Sequence, residues 1–290
     1  MLSRTLRTLC LLACPLSLLA GSVAIAGPAV QRLTYNSANT DEKVVALTFD
    51  DGPHAAHTPR LLDLLAKRHI KATFFVLGEC VSSYPDLLKR EVAEGHEIGD
   101  HSWNHPNLAK LSDETVKGQL QRTHDIIQQT AGVDTRLVRP PYGSFSERQK
   151  HWATSQLGFN LIYWDVDPLD WKRPGPSVVA SRILKQARSG SIILMHDIHG
   201  PSIDAVPMVL DGLLAKGYRF VTVSELLAMD RPGSRKDIGK DAPKGEPASY
   251  APADAPAKVE KAADAPEASA PAKPAPPTVP EKKNDLPDSL

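Results

Sequence analysis

Between Ala38 and Met229, short β-rich runs alternate with amphipathic helical stretches. Strands are predicted over 44–49, 72–77, 97–99, 137–138, 160–164, 192–195 and 219–222. Helices are predicted between them. Thr58 would cap the first, with Pro59 at its first position and Leu61, Leu62, Leu64 and Leu65 inside it. The next spans 85–94 and ends at Gly95, and a long one over 113–131 is stopped by Gly132. Three more are expected over 146–157, 177–188 and 204–216. About seven such βα units imply an α/β fold with a parallel sheet closed, or nearly closed, into a barrel.

The pattern fails at both ends. From Arg231 onward the composition changes, the far tail from Ala251 is rich in Ala, Pro, Lys and Glu, and most of the excess among the 25 prolines lies after Asp230. Residues 236–290 are expected to form a disordered, partly polyproline-like tail that serves as a spacer. At the other end, Arg4 and Arg7 precede an apolar run over 9–20 and then Ala24-Ile25-Ala26. This is the layout of a secretory signal over 1–26, cleaved before Gly27. The run is short for a membrane anchor, and Leu12 is bulky for a lipoprotein signal at Cys14. The catalytic domain would therefore occupy 27–235 of an exported, periplasmic or secreted protein with no stable membrane insertion.

Of three cysteines, Cys80 alone would survive cleavage, which excludes a disulfide scaffold and fits a small buried hydrophobe. Formal charge is zero, 34 basic against 34 acidic residues, and no basic stripe carries aromatics. No nucleic-acid partner is expected.

Five polar clusters follow successive predicted strands. Asp50-Asp51-Gly52-Pro53 puts two carboxylates where a strand ends and turns, although a solvated Asp-Gly turn would look the same. His101 and His105 stand four apart, which on a helical turn lets both grip one metal, with Asp100 placed to orient one ring. With ten histidines in the chain, such a pair also arises by chance. His54, His57, His69, His96, His124, His151 and His199 are read as surface or structural residues. Arg139-Pro140-Pro141-Tyr142 is a rigid loop whose arginine would pair with a carboxylate or simply be solvated. The stretch from Trp164 to Trp171 offers flat faces for sugar rings or for core packing. Last, Ile193-Leu194-Met195-His196-Asp197 reads as a buried strand ending in histidine, although a lone histidine there is more often structural. Asp, His and His with an open fourth position is a hydrolytic metal site, and a spare carboxylate and histidine supply base and acid.

This ordered set resembles the polysaccharide deacetylases of the NodB-homology type, carbohydrate esterase family four, across residues 44–227. The resemblance implies a distorted, incomplete (β/α) barrel with zinc or a similar divalent ion. It implies Asp50 as general base, with Asp51, His101 and His105 as metal ligands. Arg139 would hold Asp50, and the Tyr142 backbone N–H would stabilise the oxyanion. Asp170 would pair with His196 as general acid, while Trp171 and Leu194 would wall the acetyl pocket. The expected substrate is an N-acetylated aminosugar polymer such as peptidoglycan, chitin oligomers or poly-N-acetylglucosamine. The rivals are an O-acetyl xylan or glycan esterase, a small-molecule amidase and a non-catalytic glycan-binding protein; the last would need no acid–base pair.

Overall fold

The computed structural model describes residues 32–231. The expected signal segment and tail lie outside these residues. Within them the strands are β1 (Thr34–Tyr35), β2 (Val44–Asp50), β3 (Thr73–Val76), β4 (Glu97–Asp100), β5 (Leu137–Val138), β6 (Asn160–Ile162), β7 (Ser191–His196) and β8 (Arg219–Val221). The helices are α1 (Thr58–Ala66), α2 (Gly78–Ser83), α3 (Pro85–Ala93), α4 (Asp113–Ala131), α5 (Glu147–Leu157), α6 (Pro176–Gln186), α7 (Gly200–Ala215) and α8 (Val223–Ala228).

All ladders between these strands are parallel, in the order β1-β6-β5-β4-β3-β2-β7. The sheet is distorted at β2. Its first half pairs with β8 and its second half with β3, while β7 runs along its other edge. Only single bridges, Ser37 to Ser191 and Val166 to Ile193, reach across the remaining gap. The barrel is thus incomplete, as expected.

β2 is buried at all seven positions, as a strand covered on both faces should be. Alternation divides its side chains. Val45, Leu47 and Phe49 join the core under α1, α6 and α7, whereas Val44 and Ala46 join Phe75, Ile162 and Ile192 in a second cluster. Thr48 and Asp50 continue that second face, so the pleat itself turns the Asp50 carboxylate inward. A third cluster joins Val138 and Leu161 to α4 and α5.

Local signals set the helix ends. Ser112 accepts from the Thr115 N–H at the start of α4, and Gly132 ends it in the left-handed region at φ 71°. Ser146 and Gln149 form a capping box on α5. Three expectations are corrected. Thr58 does not cap α1: the N-cap is His57, and the Thr58 hydroxyl instead donates to Asp197 and accepts from the His54 N–H. β1, α2 and α8 were not anticipated; each of these two helices spans fewer than two turns, too few for a periodic signal. The segment from His101 to His105 is a loop, with Ser102 and His105 in the left-handed region at φ 74° and 60°. Cys80 is buried as expected, and burial pushes its thiol up to about 12.

Candidate functional site

Asp50 ends β2, paired across the ladders with Phe75 on β3 and His196 on β7. Arg139 follows β5 and is fully buried. Its guanidinium donates to Asp50 Oδ1 at 2.6 Å and to Thr48 Oγ1 at 2.8 Å, and it lies 4.1 Å over the Phe75 ring. A buried charge of this kind depends on its partner: removing one member of such a pair costs about 3–5 kcal/mol.

Asp51 lies one residue past the strand, at φ 79°. Its N–H donates to the Phe75 carbonyl at 3.2 Å, and the following Gly52–Pro53 peptide is cis. Gly52 is required by space, since a Cβ there would stand 2.4 Å from the buried Asp197 carboxylate.

The two histidines reach Asp51 from the loop after β4. His101 Nε2 and His105 Nε2 each lie 3.5 Å from Asp51 Oδ1. His101 Nδ1 is bonded to the Arg139 carbonyl at 2.7 Å, which leaves the Nε2 lone pair facing Asp51. The Asp100 carboxylate does not take the orienting part expected of it. It accepts the Ser102 N–H at 2.6 Å, and burial pushes its pKa well up. The loop is further tied by the His105 N–H, which donates to Ser102 Oγ at 3.1 Å. Left-handed backbone at Asp51, Ser102 and His105 costs on the order of 1–3 kcal/mol each, and such strain collects at functional sites.

Does this trio fit a metal ion? Asp51, His101 and His105 place one donor atom each within 4.8 Å of one another. Asp51 Oδ1 is buried without a hydrogen-bond partner among the described residues. A separation of 3.5 Å is too long for a hydrogen bond. It matches ligand atoms around a tetrahedral ion, which stand roughly 3.3–3.4 Å apart when each bond is ~2.0–2.1 Å. The donor set fits. Burial favours protonation of Asp51, but His105, His196 and His101 outweigh it and lower its pKa. Burial likewise holds the His105 pKa down at about 4, against the pull of Asp51.

On the opposite side His196 Nδ1 meets Asp170 Oδ1 at 2.8 Å. Asp170 Oδ2 accepts from the His196 N–H at 2.9 Å and from Ser202 Oγ at 2.6 Å, so both oxygens are fixed. Burial favours a neutral His196 ring, yet the charge and hydrogen bond of Asp170 outweigh it and raise its pKa to about 10. Leu194 is buried two residues before His196 on the same face of β7. Trp171 is half-buried beside Asp170, with Lys172 Nζ 4.8 Å over its ring. Tyr142 lies in a short turn at φ 59°, its ring edge-on to His105 at 4.4 Å.

Some neighbours were not singled out in the sequence. The His199 ring lies 6.3 Å from that of His196, and His54 stacks on His57 at 4.5 Å. Asp197 is fully buried and raised to about 7, chiefly by burial, while Thr58 opposes the shift. His199, three residues after His196, was readable by proximity. Ser202 was not, and Asp197 stood beside His196 without a legible role, because their partners Asp170 and Thr58 lie far away in the chain.

Fold and site together define a class: an α/β protein with an incompletely closed parallel barrel and ionisable groups gathered at the carboxyl ends of its strands. The polysaccharide deacetylase family profile matches residues 37–162. The chain is 41% identical over 196 residues to a peptidoglycan-N-acetylglucosamine deacetylase of Bacillus cereus, covering 66% of this chain and 69% of that one. It is 45% identical over 186 residues to the peptidoglycan-N-acetylmuramic acid deacetylase PdaC of Bacillus subtilis, covering 64% of this chain but only 39% of PdaC. Its fold matches that of BA3943, a CE4 family pseudoenzyme from Bacillus anthracis, with a TM-score of 0.64 and 32% identity over 68% of this chain and 69% of that one. The chain belongs to the polysaccharide deacetylase family, carbohydrate esterase family four.

Proposed function

We propose that this protein is a metal-dependent hydrolase that removes N-acetyl groups from an aminosugar polymer outside the cytoplasm. A pseudoenzyme on the same fold means that membership alone does not carry activity; the side chains must. The observation that carries the reading is the pairing of Asp50 with His196 across one ladder, beside the Asp51-His101-His105 cluster.

A divalent ion held by Asp51, His101 and His105, zinc being the natural choice for one carboxylate and two imidazoles, would polarise the acetyl carbonyl and lower the pKa of attacking water. Asp50 takes that water's proton. Arg139 occupies Oδ1, which leaves Oδ2 as the acceptor. As the water oxygen bonds to the carbonyl carbon, the backbone N–H of Tyr142 stabilises the oxyanion. His196 keeps Nδ1 on Asp170 and donates its Nε2 proton to the departing nitrogen, so the carbon–nitrogen bond breaks to give acetate and a free amine. Trp171 and Leu194 wall the acetyl group.

The named activities of the relatives support peptidoglycan as substrate, with N-acetylglucosamine or N-acetylmuramic acid as the sugar. A wall substrate agrees with an exported protein whose mature chain begins near Gly27. No helix among the described residues is long and apolar enough to cross a membrane. The test is acetate release, with and without added zinc, from peptidoglycan, chitin oligomers, poly-N-acetylglucosamine and O-acetylated xylan. Release from an N-acetyl polymer is expected; release from xylan alone would contradict the reading, as would none from any substrate.

A further inference from the structure

His101 and His105 are held very differently. The His101 N–H donates to the Val76 carbonyl at 3.0 Å in continuation of the sheet, and its ring is fixed by the Arg139 carbonyl. Among the described residues, His105 has no bond to the sheet and no hydrogen bond to its ring; its N–H is held only within the loop, by Ser102 Oγ at 3.1 Å. Its Nδ1 is buried without a hydrogen-bond partner among the described residues, and its backbone is left-handed. Apart from the edge-on Tyr142 ring, the aim of this ring therefore depends on the shape of the loop that carries it.

That loop is gripped from two sides. At the start of α2, the Gly78 N–H donates to the Ser102 carbonyl at 3.1 Å and the Glu79 N–H to the Trp103 carbonyl at 3.0 Å. From α4, Gln119 reaches the opposite polarity of the same backbone. Its Oε1 accepts the N–H groups of Trp103 at 2.9 Å and Asn104 at 3.3 Å, and its Nε2 donates to Asn104 Oδ1 at 2.9 Å. Both ends of one amide thus serve two adjacent loop residues, fifteen and sixteen positions earlier in the chain. One turn further along α4, the Arg122 guanidinium lies 3.4 Å over the Trp103 ring, which packs against Gly78 so closely that a Cβ there would stand 2.4 Å from it.

We propose that Gln119 is a positioning residue for the metal-ligand pair, acting through the Trp103–Asn104 backbone to hold His105 in its strained geometry. The inference rests on the metal reading above. Gln119 touches no ligand, so its effect is on how well the three donors are prearranged. Groups that orient ligands in this indirect way typically account for 10–100-fold in metal affinity.

The experiment is a chelator-competition measurement of zinc and cobalt affinity on wild type, Gln119→Met and Gln119→Glu, with melting temperatures of the metal-free proteins. Gln119→Met fills the same space without hydrogen bonds and is expected to lose about tenfold or more in affinity. Its metal-free melting temperature should move by only a few degrees. Gln119→Glu keeps the oxygen that accepts both N–H groups, and Asn104 can turn its amide to donate, so most of the affinity should return. Unchanged affinity in Gln119→Met overturns the proposal, as does a loss that Gln119→Glu shares in full. If Gln119→Met does not fold, amide exchange in the wild type decides. Slow exchange at Trp103 and Asn104 supports the clamp, and exchange as fast as in exposed loops overturns it. Wild type that binds no cation refutes the metal reading itself, whereas tight binding by both wild type and Gln119→Met refutes only the clamp.

Discussion

Asp170 carries one of the clearest single-residue forecasts. Its anion raises the His196 pKa to about 10 against the effect of burial, so the acid is protonated throughout the neutral range. Because that pKa is raised above the ordinary value of about 6.5, the pair stabilises the fold fully below pH ~6.5 and this contribution fades as pH rises through about 10. Asp170→Asn removes the charge but not the shape. The alkaline limb of turnover is then expected to shift to lower pH, as a pH–rate profile would reveal; an unmoved limb would mean that Asp170 does not govern the proton on His196. Gly52 allows a second forecast. Gly52→Ala drives a methyl into the Asp197 carboxylate and should destabilise the fold by about 1–3 kcal/mol, read by urea unfolding. This need for glycine was only half visible in the sequence: Gly52-Pro53 marked a turn, but Asp197 lies far along the chain.

At the scale of elements, apolar periodicity was informative where segments were long. The helix α4 runs over the expected 113–131, because Ser112 and Gly132 mark both ends chemically. β5 also matches its expected bounds. Legibility failed where a helix spans fewer than two turns, as in α2 and α8, and where geometry rather than sequence spacing joins residues. His101 and His105 do converge, but through a left-handed loop and not a helical turn; a spacing of four is compatible with both. Thr58 misled for a related reason, since a hydroxyl beside a helix start serves as a cap only if tertiary partners leave it free. Where caps are present their loss is measurable. Ser146→Ala removes half of a capping box and should cost about 1 kcal/mol, within a range of ~0.5–2. Equilibrium unfolding of that variant with no loss would show that tertiary packing alone holds the start of α5.

For the whole molecule, the alternation of strands and helices was enough to define a parallel α/β sheet, and the ordered clusters at strand ends were enough to pick out the site. How far the barrel closes was not legible from periodicity, because closure depends on single bridges such as Val166 to Ile193 rather than on a ladder. The folded unit is expected to work without the Ala/Pro/Lys/Glu-rich tail. Truncation after about residue 235 should leave melting temperature and deacetylation of a small oligomer nearly unchanged. A large drop in either would mean that the tail contributes to the fold or the site.

The central claim is that two adjacent aspartates divide the chemistry, Asp51 holding the ion and Asp50 moving the proton. Metal content and turnover, measured together on Asp50→Asn and Asp51→Asn, test it most directly. Asp51→Asn should bind metal weakly and recover part of its activity at high zinc. Asp50→Asn should retain about one metal ion per chain while turnover falls by about 10²–10⁴, with no rescue by zinc. A metal-free Asp50→Asn, or one that remains fully active, would contradict the account.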